Sequence, residues 1–262
     1  MTGKNPLWAL SALLLLPACS NVQKTEPVAE EPMVQGAATY ALCAAIPQDQ
    51  LGNWKAMIDE MKAKRDAHLA SNKACGIEEE TIFLQETPEG AAAVVYFEGK
   101  DLEHMMSRRD AAEDEHTKWF MSQITSIHHL PENMDEMSAN EMVFEGDVSG
   151  VQGSLKQFAL AAPILPGKEA AHTAFVAELA GARHAAWEES RRSRGIAREH
   201  AWNQKNPDGS TMTVVYFEVT DPANLNTPPT SEFETWFRQQ IMDIHGIPLE
   251  APMPANVLAA SF

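Results

Sequence analysis

Apolar and polar positions along this chain follow two rhythms, and the order of those rhythms is written twice. Residues 40–46 form a short apolar run closed by Pro47. From 49 to 73, Leu51, Trp54, Ile58, Met61, Arg65 and Leu69 keep the spacing of one helix face. Gly76 stands just beyond the last turn, where a glycine ends a helix. Two β-type runs follow, 81–85 and 91–98, joined by Pro88-Glu89-Gly90 with the chemistry of a turn. A second helix carries Trp119, Phe120, Ile124 and Ile127 and ends before Pro131, and residues 141–147 close the set as a strand. The second pass reads strand 158–164, helix 168–193, strands 199–204 and 211–219, helix 231–245 and strand 257–262.

The two passes are copies. The pentapeptide Val-Val-Tyr-Phe-Glu occurs at 94–98 and again at 214–218. Arg65 falls on Arg183, Gly76-Ile77 on Gly195-Ile196 and Glu80 on Glu199. Trp119-Phe120 and Ile127-His128 fall on Trp236-Phe237 and Ile244-His245. The offset drifts only between about 117 and 120 residues, too long a period for a solenoid unit. Each copy is a domain, 39–150 and 151–262.

The order β-α-β-β-α-β is ferredoxin-like, a four-stranded antiparallel sheet with both helices on one face. Its other face normally meets water and alternates polar with apolar. Here Val94 and Tyr96 point one way, Val95 and Phe97 the other, and all four are apolar. A sheet apolar on both faces needs a second cover, which the other copy supplies. The expected fold is therefore α+β, two tandem ferredoxin-like βαββαβ repeats packed as a single-chain dimeric α/β barrel. Small residues on strand one (Ala41, Cys43, Ala44, Ala45; Ala159, Ala161, Ala162) face large ones such as Tyr96 and Tyr216. With strand one read as central, that contrast predicts an apolar cavity between the sheets, with the tyrosine hydroxyls as its polar handles.

Composition changes the picture in two places. The formal net charge is -17, which repels nucleic acid and suits a cationic ligand or basic protein partner. At the N-terminus, Lys4 and an apolar run from 7 to 16 precede Leu16-Pro17-Ala18-Cys19. That run is too short to span a bilayer and has the layout of a signal peptide over 1–18. A cysteine at the cut resembles the lipobox of bacterial lipoproteins. The resemblance implies acylation of Cys19 and a membrane anchor on the periplasmic face of the cell envelope. Ser20 in place of Asp favours the outer over the inner membrane. Residues 19–38, rich in Pro, Glu and Gln, read as a disordered tether. Cys43 and Cys75 are read as free thiols.

Arg65-Asp66, Leu69, Ser71, Gly76-Ile77, Glu80 and Phe83-Leu84, followed by Asp114-Glu115-His116, resemble a small family of uncharacterised bacterial domains of the dimeric α/β-barrel superfamily. The second copy has Ser231-Glu232-Phe233 at the latter place. The resemblance implies a fold and no activity.

Candidate chemistry is sparse. Arg65 with Glu80, and Arg183 with Glu199, are expected to pair at a helix–strand corner, leaving open a carboxylate poised at the barrel mouth. His128 and His245 end helices, either as caps or as haem or metal ligands on the cavity side. Tyr96, Tyr216, Trp202 and Phe83 line a pocket or pack as core. Glu113-x-x-His116 has metal-ligand spacing, but no HExxH, CxxC pair or phosphate loop occurs. No cofactor is expected, with haem as the alternative. Two functions stay open: a non-catalytic envelope lipoprotein that binds a small apolar ligand or a protein, and an enzyme of the barrel superfamily such as a cofactor-independent monooxygenase or a haem-handling protein.

Overall fold

The computed structural model describes residues 38–87, 90–130, 140–248 and 255–262. The expected signal segment, Cys19, most of the expected tether and Pro88-Glu89 of the expected turn lie outside these residues. Strand β1 (Ala38–Ile46) is followed by helices α1 (Leu51–Ala63) and α2 (Arg65–Ala74), then β2 (Ile77–Thr87) and β3 (Gly90–Gly99). Helices α3 (Met105–Asp110) and α4 (Glu115–His128) lead to β4 (Glu141–Asp147). The second repeat runs β5 (Lys156–Ile164), α5 (Glu169–Ala180), α6 (His184–Ser193), β6 (Ile196–Lys205), β7 (Thr211–Val219), α7 (Glu232–His245) and β8 (Ala255–Ser261).

Each long first helix is thus two helices. Lys64, at φ -102° and ψ 31°, breaks the first pair, and Gly181 ends α5. Gly76 ends α2 as expected, at φ 82°, and a Cβ there would lie 2.5 Å from the Lys100 carbonyl oxygen. No described helix is long and apolar enough to cross a membrane.

The strands form two four-stranded sheets, ordered β1-β3-β2-β8 and β4-β6-β7-β5. The strand pairings within both sheets are antiparallel. The fold is the expected pair of packed ferredoxin-like halves, with one difference: each closing strand joins the other repeat's sheet. β8 pairs with β2, and β4 pairs with β6. The exchange leaves β1 and β5 as sheet edges, where strand one was expected to be central.

Those edges are held by side-chain amides from the opposite sheet. Gln204 accepts from the Cys43 N–H at 2.8 Å and donates to its carbonyl at 2.7 Å. Gln85 holds Ala161 the same way, at 2.8 and 2.9 Å. Asn140 and Asn256 donate to the carbonyls of Ala41 and Ala159, each at 2.6 Å. Two near-symmetric seams therefore satisfy backbone groups that a sheet edge would otherwise leave unpaired.

Between the sheets lie Ala41, Cys43, Phe83, Val94, Tyr96 and their counterparts from the second repeat. Val95 and Phe97 face the helices instead, as the pentapeptide pattern requires. Among the described residues, side chains fill the space where the cavity was expected. Ala41 and Ala159 let the sheets close, and Tyr96 stacks on Tyr216 with ring centroids 3.6 Å apart and planes 3° from parallel. The hydroxyls donate to Glu98 and Glu218 rather than to a ligand. The described residues form one compact unit.

Candidate functional site

Helix α2 turns a polar stripe inward. His68, Ser71 and Asn72, at i, i+3 and i+4, are all buried. Beneath them β2 presents Glu80, also buried. His68 Nε2 lies 2.6 Å from Glu80 Oε2, and Asn72 donates to the same oxygen at 2.9 Å. From α3, buried Arg109 reaches Glu80 Oε1 at 3.3 Å and also donates to Asn72. His68 Nδ1 is 3.0 Å from Nε2 of His116, a half-buried residue in the first turn of α4. Asp114 fixes that turn by accepting from the Thr117 N–H at 2.8 Å, and Thr117 meets Ser71 at 2.6 Å.

Proton placement follows from donor chemistry. A carboxylate only accepts, so His68 Nε2 carries the hydrogen facing Glu80. The other ring nitrogen, Nδ1, is the one that faces His116. Burial pushes the Glu80 carboxyl up, but the Arg109 charge and the bonds from His68 and Asn72 outweigh it and hold it at about 2. Burial, then the charge of His68, lowers His116. The result is a fixed anion joined by two imidazoles to the protein surface.

A small space adjoins the anion. A cavity of about 70 Å³ lies between the helix face of the β1-β3-β2-β8 sheet and its helices. Ala44, Trp54, Met57 and Ala93 form part of its apolar wall, while Glu80 and Arg109 bring charge to it. The Nε–H of Arg109 is buried and has no hydrogen-bond partner. A larger groove, about 650 Å³, runs beside β5 and β8, where exposed Leu155 and Leu258 line it. It gathers no comparable buried polar cluster, so the smaller space carries the chemistry.

The second repeat shows the same corner filled in. Trp187 stands where His68 stands and donates from its ring nitrogen to Glu199 at 2.8 Å. Arg191 replaces Asn72 and pairs with Glu199 directly. Its guanidinium lies 4.4 Å over Phe237, as that of Arg109 lies 4.8 Å over Phe120. Phe233 stands at the place of His116. The indole fits because Gly146 lies against it: a Cβ there would be 2.4 Å from the Trp187 ring. In the first repeat the strand position opposite the carboxylate is Phe262, which packs on His68 at 4.4 Å.

Several expected partners are corrected. Arg65 does not pair with Glu80. It opens α2, exposed and remote from that helix's Glu80-facing end, and donates to the Ser261 carbonyl at 2.6 Å. Arg183 pairs with Glu178 at 2.7 Å, not with Glu199, because it precedes α6 for the same reason. His128 and His245 bond the carbonyls of Ala45 and Pro163, at 2.7 and 2.8 Å, pinning helix ends to edge strands, and His128 also lines the small space. Tyr96, Tyr216 and Trp202 are packed core, while Phe83, in the same core, also borders the larger groove. Cys43 and Cys75 are free and buried, and burial pushes the Cys43 thiol up to about 12.

His68, Asn72 and Arg109 were missed as site residues, although the repeat offset lays His68 on Trp187 and Asn72 on Arg191. Polar residues at buried-face spacing were the available signal. His116 was singled out by its motif.

No family model matches the chain, and no curated protein matches it in sequence. Among solved structures it is similar to a candidate monooxygenase from Fusobacterium nucleatum subsp. nucleatum ATCC 25586, with a TM-score of 0.45 and 10% identity over 83% of this chain and 88% of that one. It is similar to an anthrone oxidase-like protein, with a TM-score of 0.46 and 8% identity over 84% and 89% of the two chains. A candidate monooxygenase from Lactobacillus acidophilus NCFM aligns over 86% and 95%, with a TM-score of 0.41 and 8% identity. These are likenesses of fold, and the activities named for those proteins are not carried over to this chain.

Proposed function

We propose that the first repeat binds a small, largely apolar molecule bearing one uncharged hydrogen-bond acceptor, and that the second repeat is its structural counterpart. The observation supporting this reading is the unpartnered Nε–H of Arg109, a residue of the wall of a mostly apolar cavity. A buried donor left without a partner costs about 1–3 kcal/mol, and an acceptor on a ligand removes that cost. Glu80 already neutralises Arg109, so a carbonyl or hydroxyl oxygen suits the place better than a carboxylate. Size is limited by volume. The cavity's 70 Å³ is less than half of the ~150 Å³ that accommodates benzene in an engineered core. Met57 and Met106 in the wall are flexible enough to widen it. A haem is far too large.

The line His116–His68–Glu80 favours a second reading, in which the same site moves a proton to or from the ligand. The chain is then an acid–base enzyme of the barrel class, of which a cofactor-independent monooxygenase is one form. In either reading we place the protein in the cell envelope, anchored through Cys19, on the strength of its N-terminal sequence. A basic protein partner is the binding alternative that its acidic charge supports.

Thermal unfolding in increasing butanone tests the site. Saturable stabilisation of the wild type, lost in Ala44→Leu, is expected, because a ligand that binds only the folded state raises its stability. Absence of any saturable effect with butanone, propanol or phenol would overturn the site. Incubation with butanone in heavy water separates the readings: exchange of its α-hydrogens that depends on His116 supports the enzyme, and none supports simple binding.

A further inference from the structure

The rim between the sheets holds a second, unrelated cluster. On β4, Glu145 and Asp147 are two residues apart and share the face that meets the other sheet. The register sets Glu145 directly opposite His200 on β6. Both carboxylates are exposed, while His200 is 2% exposed. Neither ring nitrogen of His200 has a hydrogen-bond partner. Its Nε2 lies 3.6 Å from Asp147 Oδ1, and one ligand atom from each of the three residues falls within 4.8 Å of the others. A buried imidazole with both nitrogens idle is costly to keep, and nothing in the packing of Trp202 beside it requires a histidine. The equivalent positions of the first repeat are Thr81 and Ser261, where Thr81 has side-chain partners in Glu79 and Gln157.

We propose that Glu145, Asp147 and His200 bind a divalent transition-metal ion, of the class of Zn²⁺, Co²⁺ or Mn²⁺. One imidazole with two carboxylates is a nitrogen–oxygen set that suits these ions better than Ca²⁺ or Mg²⁺, which take oxygen ligands. Ligands about 2.0–2.2 Å from a tetrahedral centre stand roughly 3.4 Å apart, so the two exposed carboxylates close by a small rotation. Arg198 donates to Asp147 Oδ1 at 3.1 Å, the oxygen that also faces His200, and a carboxylate oxygen keeps a second lone pair for a metal. The other contacts of Arg198 are Glu98 of the opposite sheet and Glu218 of the neighbouring strand β7, at 3.0 and 3.1 Å. Three protein ligands leave the remaining coordination to water. Because β4 comes from the first repeat and β6 from the second, the ion ties the exchanged strand to its host sheet.

Cobalt titration of the tag-free, chelator-treated full chain tests the site. One equivalent of Co²⁺ is expected to give visible d–d bands of low-symmetry coordination and to raise the midpoint of unfolding. Glu145→Gln, an exposed change that leaves folding intact, is expected to weaken binding at least tenfold, and His200→Gln to abolish the bands. No stoichiometric binding, or binding unchanged in both variants, would overturn the assignment. If His200→Gln does not fold, Glu145→Gln alone decides: unchanged affinity rejects the site.

Discussion

His68 and Trp187 occupy the same place in the two repeats and make the same bond. Each presents a ring nitrogen to a buried carboxylate twelve residues on, at 2.6 Å to Glu80 and 2.8 Å to Glu199. Only the histidine can pass the proton further, and only the histidine has a second imidazole behind it. The neighbouring strand compensates for the difference in ring size, with Phe262 in one sheet and Gly146 in the other.

That compensation is measurable. His68→Trp alone overfills the space against Phe262 and is expected to cost about 1–3 kcal/mol. Phe262→Gly alone opens a hole and is expected to cost about 3–5 kcal/mol. Together they rebuild the corner of the second repeat, so denaturant unfolding of the double variant should show a loss smaller than the sum by about 0.5–3 kcal/mol. Simple additivity would mean that the two positions do not share a volume.

Much of this was legible beforehand. The pentapeptide at 94–98 and 214–218 gave both faces of a buried strand, because a period of two assigns alternate residues to opposite sides whatever the tertiary partner. What failed was anything decided by partners far along the chain. A closing strand such as 141–147 reads the same whether it pairs within its own repeat or across, so the exchange was invisible. With it went the expectation of a hole between the sheets: on an edge strand Ala41 and Ala159 let the sheets meet, while Ala44 borders the small space on the helix side. Arg65 misled because the helix was read as continuous, and the break at Lys64 moved it to the start of a new helix.

The exchange predicts that the first repeat is incomplete alone. A chain of residues 38–140 lacks β8, leaving the β2 edge bare, and its inter-sheet face has no cover. Light scattering should find dimers or aggregates. A soluble, cooperative monomer would show that the repeat closes on itself.

Acid should weaken the fold before the carboxylates titrate. Burial, helped by the nearby charge of His245, pushes the His172 imidazole down to about 4, against about 6.5 in an unfolded chain. Between these values the unfolded state binds the proton and the folded state does not. Stability is therefore complete above about pH 6.5 and declines as pH falls toward 4. His172→Gln should reduce the slope in that window by up to about one proton. An unchanged slope would place the effect on other histidines.

Acylation of Cys19 has a direct readout. Cells fed a clickable fatty acid should label the wild type and not Cys19→Ser, and equal labelling would exclude the lipid anchor.

The ligand site is tested most directly by watching its wall. In protein carrying ¹³C-methyl methionine, titration with butanone should shift the Met57 and Met106 methyls, which line the cavity, along a saturating curve. Met212, packed against the core between the sheets, should stay in place, and Ala44→Leu should remove the response. Shifts at Met212 with none at Met57 and Met106, or no saturable shift anywhere, would contradict a ligand site beside Glu80 and Arg109.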